Sequence, residues 1–373
     1  MIRDILDRAL AGRPLSRQDN LRLLRTGLAT EGNANGAREE IFQAARTLRD
    51  RHFGKSIFLY GFLYISTYCR NNCIFCAFRS SNKQLQRYRK STTQIVEAAL
   101  GLAATGVHLL DLTTGEDPLL HDDPELSRLT GVLEAVKNAT SLPLMVSPGV
   151  VSDRGLRALK EAGADWYACY QESFDRDEFT RLRPGQDYDV RLRCKQEALR
   201  SGLMVEEGVL TGTGESLESL VGSIGAMIAG GSSQVRVMQF VPGPGIPLSA
   251  VQSHPYREAV LIAILRLNCP QLLIPASLDV EGLGGLEKRL AAGANVVTSI
   301  VPQGLGYSGV ANQDLDIESG KRSLGRVLEI AGACGLEPAQ PGDLLSWMKE
   351  RRSPRFARKA GPSECTDESP QQR

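Results

Sequence analysis

A (β/α)8 barrel of the TIM type, with an N-terminal helical extension and a disordered C-terminal tail, is the fold this sequence predicts. Three observations carry it. From Ser56 onward, short β-rich runs alternate with helical stretches, the pattern of parallel strands joined by helical crossovers. The alternation supplies eight strand and eight helix candidates, enough to close a barrel, although an open doubly wound sheet would also alternate. The chain of 373 residues exceeds the usual single-domain length, yet a barrel takes roughly 250 residues or more as one unit.

Residues 1–52 form the expected helical extension, with helical apolar spacing near 2–11, 16–27 and 36–51 and breaks at Pro14 and at the Gly/Asn stretch 32–36. No chemistry is visible there. The barrel is expected over residues 53–350. Its strand candidates are 57–65, 107–113, 143–147, 166–171, 204–210, 234–240, 271–277 and 295–300. Helices are expected near 92–104, 123–137, 153–162, 188–201, 215–229, 254–268, 282–292 and 316–334. Residues 351–373 are polar, contain Pro, Ser and Gln without periodicity, and predict a disordered tail. In such a barrel the active site lies at the carboxyl ends of the strands, so polar residues there are the first candidates.

Hydrophobic residues at 42% and charged residues at 23% suit a globular protein with a real core. The 44 basic and 43 acidic side chains nearly cancel, which leaves no field to draw the chain onto nucleic acid or an anionic membrane. The longest apolar run, Ile57 to Ile65, is interrupted by Gly61 and falls far short of the ~20 residues of a spanning helix. The start, MIRDILDRAL, lacks the continuous apolar segment of a secretory signal. A cytoplasmic, monomeric protein acting on a small molecule is expected, with no nucleic-acid or membrane partner.

Of eight cysteines, Cys69, Cys73 and Cys76 cluster in STYCRNNCIFC, a C-x3-C-x2-C spacing just past the first strand candidate. The other five are scattered singly, which is no disulfide framework and calls for no special role. Soft thiolates suit an iron–sulfur cluster or zinc, and a structural zinc would need a fourth Cys or His that has no candidate nearby. Three ligands on a [4Fe–4S] cluster leave one iron open to chelate the amino and carboxylate groups of S-adenosylmethionine (SAM). The spacing resembles the signature of the radical SAM superfamily, in which one electron splits the sulfonium to methionine and a 5′-deoxyadenosyl radical.

That resemblance gives meaning to motifs that are otherwise bland. Phe75 matches the aromatic position that lies against adenine; a plain core Phe is the alternative. DLTTGEDP, by itself a good turn, resembles the motif that holds the methionyl amino group, at Gly115 and Glu116. Ser147 ends the third strand before a Pro-Gly break and joins the cofactor positions. Glu172 and Arg191, nineteen residues apart, match a pair that binds ribose and carboxylate of SAM in the biotin-synthase-like group; an ordinary salt bridge is the alternative. Gly212 and Gly214, in the loop after the fifth strand, match backbone that faces adenine, although a lone Gly-x-Gly is weak.

The order LYISTYCRNNCIFC, DLTTGEDP, MVSPGV, YQESFD, RLRPGQ, EEGVLTGTG, VRVMQFVP, IPASLDVEGL and AGANVVTSI closely resembles the methylornithine synthases of pyrrolysine biosynthesis, from about residue 50 to residue 312. The stretch after Cys76 and the charged tail depart from that pattern without touching a proposed ligand. The resemblance implies isomerisation of L-lysine to (3R)-3-methyl-D-ornithine: hydrogen abstraction by the deoxyadenosyl radical, fragmentation to a glycyl radical and an alkenyl amine, and recombination. It also implies an electron donor such as flavodoxin or ferredoxin. Lysine carries one carboxylate and two ammonium groups, so a water-poor site needs a cation and carboxylates. Arg236, Ser277, Asp279 and Asp111 supply that inventory at strand ends and coincide with the family's substrate positions; a salt-bridged barrel interior would use the same residues. Another biotin-synthase-like reaction, or an electron carrier with a cluster but no catalysis, are the competing functions.

Overall fold

The computed structural model describes residues 2–249, 251, 254–302, 305–307, 309 and 322–353. Three helices come first: α1 (Ile2–Leu10), α2 (Arg17–Gly27) and α3 (Ala34–Phe53). α2 begins at a reciprocal capping box between Ser16 and Asp19, which satisfies amides that have no partner within the helix. Leu23 and Leu24 of α2 and Ile41, Phe42 and Ala45 of α3 join the same apolar core as the rest of the molecule.

Then come β1 (Ser56–Ser66), α4 (Thr92–Ala104), β2 (Leu109–Thr114), α5 (Ser127–Thr140), β3 (Leu144–Ser147), α6 (Asp153–Glu161), β4 (Trp166–Ala168), α7 (Arg176–Leu182), α8 (Tyr188–Arg200), β5 (Met204–Thr211) and α9 (Leu217–Ala229). They are followed by β6 (Gln234–Gln239), α10 (Arg257–Asn268), β7 (Pro275–Ser277), α11 (Leu278–Glu281), α12 (Leu286–Ala291), β8 (Val296–Ile300), α13 (Leu324–Ala333), the short β9 (Glu337–Pro338) and α14 (Asp343–Arg351). All eight expected strands are present, parallel, in the order β6-β5-β4-β3-β2-β1-β8-β7, with β9 added beside β1.

The last seam, between β6 and β7, is joined among the described residues by an isolated bridge from Gln234 to Leu273. That bridge sits at the amino-terminal end of β6, so the barrel is nearly closed, with its floor tied and no ladder joining the two strands higher up. No helix among the described residues is long and apolar enough to cross a membrane.

Strand alternation divides each strand between the barrel interior and the helical jacket. On β5, Glu206 turns inward to Arg236, while its neighbour Glu207 turns outward to Lys195 of α8. On β2, Asp111 is inward and the adjacent Leu110 and Leu112 are fully buried apolar positions. On β1, Tyr60 and Tyr64 reach across the interior to Gln234 and Asp279.

The structure departs from the expected elements where local chemistry interferes. The expected helix 282–292 divides into a 3-10 turn at Gly282–Gly285 and α12, because the run GLGG gives up too much backbone entropy to hold an α-helix. The helix expected at 316–334 is described from Leu324 to Ala333, and residues 316–321 lie outside the described residues. α7 was not expected; Asp175 caps it by accepting from the amides of Asp177 and Glu178. The tail expected to be disordered lies, from residue 354, outside the described residues.

Arg266 on α10 ties the floor together. Its guanidinium is fully buried and donates to the carbonyls of Pro270, Leu272 and Gly293 and to Asn295 Oδ1, reaching the entrances of β7 and β8 at 2.6–3.0 Å. Arg266→Met keeps the stem and strands these acceptors. We expect a loss of roughly 3 kcal/mol or more, read as a lowered midpoint in urea, since each buried unpaired acceptor costs about 1–3 kcal/mol. An unchanged midpoint would remove Arg266 from this role.

Candidate active site

The segment that leaves β1 carries the three clustered thiols over the carboxyl ends of the strands. It is braced from its own side: Arg87 donates to the carbonyls of Thr67, Phe78 and Arg79, and Asn82 donates to that of Ala77. It is braced from β2 as well, where the Arg70 amide donates to the Glu116 carbonyl at 2.9 Å. Gly115 permits this approach, because a Cβ there would stand 2.4 Å from the Tyr68 carbonyl oxygen and 2.7 Å from Cys69 Cβ.

Cys69, Cys73 and Cys76 line a cavity of about 200 Å³. Burial pushes the Cys69 and Cys76 thiols up, and for Cys76 the neighbouring Cys73 and Cys69 add to the shift. Deprotonated sulfur there therefore calls for a positive partner. No three His, Cys, Asp or Glu side chains among the described residues are arranged to hold a single metal ion. Three thiols from one segment suit a polynuclear cluster with an open iron better than a tetrahedral zinc, which takes four protein ligands in a structural site.

The predicted cofactor residues Phe75, Gly115, Glu116, Ser147, Glu172 and Arg191 line that cavity with the thiols. Glu116 Oε1 accepts from the Val150 amide at 3.0 Å, Oε2 accepts from Arg70 Nε at 3.0 Å, and Arg191 Nη1 stands 3.7 Å from Oε1. Burial would raise this carboxyl, but the Val150 amide and Arg191 outweigh it and hold Glu116 below the usual carboxylate range. Arg191 also donates to the Tyr170 carbonyl at 2.7 Å. Glu172 sits at φ 67, a left-handed conformation that costs a non-glycine residue energy, and its strand bonds to Gly208 and Leu210 hold it there. Burial raises its carboxyl, Oε1 accepts from Arg183 at 3.1 Å, and Oε2 is buried with no hydrogen-bond partner. A buried acceptor edge beside three thiols fits the hydroxyls of a ribose, so the residues present suit a cluster with SAM.

Asp111, Arg236 and Asp279 line the same cavity. Asp111 Oδ1 accepts from Thr113 and Ser147, each at 3.2 Å, while Oδ2 is buried without a partner. Burial, with the negative Glu206 adding, pushes this carboxyl up to about 7. Arg236 is not the solitary cation that the sequence suggested: Nε donates to Glu206 Oε1 at 2.7 Å, and Glu206 also accepts from Gln234 and Tyr170. Asp279 is likewise engaged, with Oδ1 accepting from Tyr64 and from Arg322 at 2.9 Å each. Ser277 is buried beneath them rather than in the cavity wall; its hydroxyl accepts from the Asp279 amide and lies 3.4 Å from Ser299.

Gly212 and Gly214 also stand outside the cavity wall. They form a left-handed turn at φ +86 and +105, folded around Glu215, which accepts from the amides of Gly212 and Thr213. Four residues that sequence reasoning missed belong to the site: Arg183, Gln186, Glu206 and Arg322. Glu206 left a signal as a charged residue at an inward position of β5, and Arg183 and Gln186 lie in the motif RLRPGQ, whereas Arg322 left none. Cys169, expected to be a plain core cysteine, is in the cavity wall.

The sequence profile of the Radical SAM superfamily matches residues 63–225. The 3-methylornithine synthase of Methanosarcina acetivorans is 40% identical over 312 residues, which cover 83% of this chain and 88% of that protein. The 3-methylornithine synthase of Methanosarcina barkeri is 39% identical over 338 residues, covering 90% and 94%. A crystal structure of methylornithine synthase (PylB) superposes with a TM-score of 0.84 at 39% identity, covering 92% of this chain and 99% of that one.

Replacing Cys69, Cys73 or Cys76 singly with Ala is expected to abolish retention of a four-iron cluster, measured as iron and sulfide after anaerobic reconstitution; a full complement in any one variant contradicts the ligand set. Asp111→Asn tests the raised carboxyl. Between pH ~4 and ~7 the folded chain holds a proton that the unfolded chain has released, so stability falls as pH rises through that window and the cost is complete above it. Asp111→Asn should therefore melt higher than the parent at pH 8, by roughly 2–6 °C, with the gap closing near pH 4. A gap that is the same at both pH values would show that folding does not raise the Asp111 carboxyl.

Proposed function

This chain belongs to the methylornithine synthases of the radical SAM superfamily, and we propose from that membership that it isomerises L-lysine to (3R)-3-methyl-D-ornithine in pyrrolysine biosynthesis. The observation that carries the substrate is the charge set formed by the cavity residues Asp111, Arg236 and Asp279 with their buried partners Glu206 and Arg322. Asp111, Glu206 and Asp279 oppose Arg236 and Arg322, which leaves one negative charge in surplus when Asp111 is ionised. Lysine brings the complementary single net positive charge.

Cys69, Cys73 and Cys76 would hold a [4Fe–4S] cluster, which with SAM and an external one-electron donor such as flavodoxin or ferredoxin supplies the 5′-deoxyadenosyl radical that abstracts hydrogen. Glu172 would offer its unpartnered Oε2 to the ribose hydroxyls, Arg191 would take the carboxylate of the cofactor and Glu116 its ammonium group, and Phe75 would supply a ring for the adenine. Arg236, with Nε and Nη2 both against Glu206, keeps Nη1 for the lysine carboxylate. Asp111 and Asp279 receive the two ammonium groups, and an ammonium at Asp111 Oδ2 removes the cost of that unpaired atom. Tyr64 and Arg322 fix the orientation of Asp279 rather than touching substrate.

Anaerobic reconstitution with SAM, reductant and lysine should yield 3-methylornithine, resolved by chiral chromatography; absence of any lysine isomer would overturn the proposal. In Arg236→Lys and Asp279→Asn, iron content and SAM affinity should stay at the wild-type level while isomer formation falls about a hundredfold, since displacement on the order of 1 Å costs that much. Slow 5′-deoxyadenosine release without isomer is the expected sign of a misplaced substrate carbon. Wild-type isomer yield in both variants would move the substrate elsewhere.

A further inference from the structure

The run Leu182–Gln186, between α7 and α8, is bonded to the cysteine segment by more than packing. The Ile74 amide donates to the Leu182 carbonyl at 3.0 Å. Two side chains from the run then converge on one sulfur: Gln186 Nε2 donates to Cys73 Sγ at 3.0 Å and Arg183 Nη1 donates to it at 3.3 Å. Each donor is anchored at its other end on a residue of the cofactor side. Arg183 Nη2 donates to Glu172 Oε1 at 3.1 Å and to the Tyr170 carbonyl at 3.0 Å, with the guanidinium 5.1 Å from the centre of the Phe75 ring. Gln186 Oε1 accepts from Arg191 Nη1 at 3.2 Å. The orientation of that amide is fixed, because arginine only donates and so demands the oxygen, which turns the NH2 group to sulfur.

We propose that Arg183 and Gln186 are positioning residues that set the reduction potential of the cluster through Cys73 and make that potential respond to occupancy of the SAM site. The proposal rests on the cluster and cofactor reading above. Reduction adds one negative charge to the cluster and its thiolates, and a fixed guanidinium with two N–H dipoles on one sulfur stabilises the reduced state and raises the potential. Glu172 and Arg191, the proposed contacts for ribose and carboxylate, are each one side chain away from the same sulfur. A ligand that engages them changes how firmly Arg183 and Gln186 are held and so changes their bonds to Cys73. Cys69 has backbone donors instead, among them the Asn71 amide at 3.4 Å, and no side chain of Leu182–Gln186 is recorded on it.

The test is a redox titration of the one-electron couple, followed by electron paramagnetic resonance on the full-length reconstituted protein, with and without the unreactive analogue S-adenosylhomocysteine. Gln186→Leu keeps size and removes the donor. Its cluster should assemble with wild-type iron content, be about three- to tenfold harder to reduce, and show a smaller response to the analogue; tenfold is about 59 mV for one electron. Arg183→Met should shift the potential the same way and Arg183→Lys should lie closer to wild type. If Arg183→Met fails to fold because Glu172 has lost its cation, Gln186→Leu still decides. A wild-type potential and a wild-type response in Gln186→Leu would overturn the proposal. Failure of the wild-type protein to assemble a cluster or to bind the analogue would instead overturn the cofactor reading on which it rests.

Discussion

A charged group taken out of water must find an opposite charge or a full set of hydrogen bonds, and the interior of this barrel is organised by that requirement. Glu206 lies fully buried at the middle of β5 and accepts from Arg236, Gln234 and Tyr170. Gln234 in turn accepts from Tyr60. One carboxylate thus fixes side chains from β1, β6 and the end of β4, and it commits Nε of Arg236. Asp279, Arg322 and Tyr64 form a second self-satisfied set. With most of the charge already matched, two carboxylate oxygens on cavity residues stand out as buried and unpartnered, Asp111 Oδ2 and Glu172 Oε2.

These two oxygens share one character. Each carboxyl is raised chiefly by burial, and each has one oxygen fully engaged and the other idle. An idle acceptor inside a protein is a standing cost that a bound ammonium or hydroxyl removes, so binding energy is concentrated where the chain has left it unspent. The strained backbone of Glu172 belongs to the same economy of position: a left-handed residue at the end of β4, held by bonds to β5, aims its carboxylate at the thiol segment.

The cysteine segment is positioned from three directions at once. Arg87 and Asn82 bind its backbone from within, Gly115 leaves it room above β2, and Leu182–Gln186 grips it at Ile74 and Cys73. Such redundancy suits ligands that must keep their geometry while an electron arrives, because protein dipoles that are already oriented need not reorganise.

The sequence by itself determined the eight parallel strands, the helical jacket and the three thiols, because strand and helix periodicity and ligand spacing are local properties of the chain. It also placed Asp111, Glu116, Glu172 and Arg191 at strand ends or at a fixed interval, which is as much as one dimension can hold. Only the tertiary structure decided which charges are matched. Arg236 reads in the sequence as a lone inward cation, and folding sets it against Glu206 of the neighbouring strand, 30 positions earlier. Asp279 meets Arg322 from 43 positions later. Arg183 and Gln186 read as part of a turn before α8, yet they reach Cys73 across 110 and 113 positions. Gly212 and Gly214 show the converse: the glycine pattern is real, but the Glu215 carboxylate occupies the turn's amides. Pairing between distant side chains is settled by barrel closure, which no local pattern encodes.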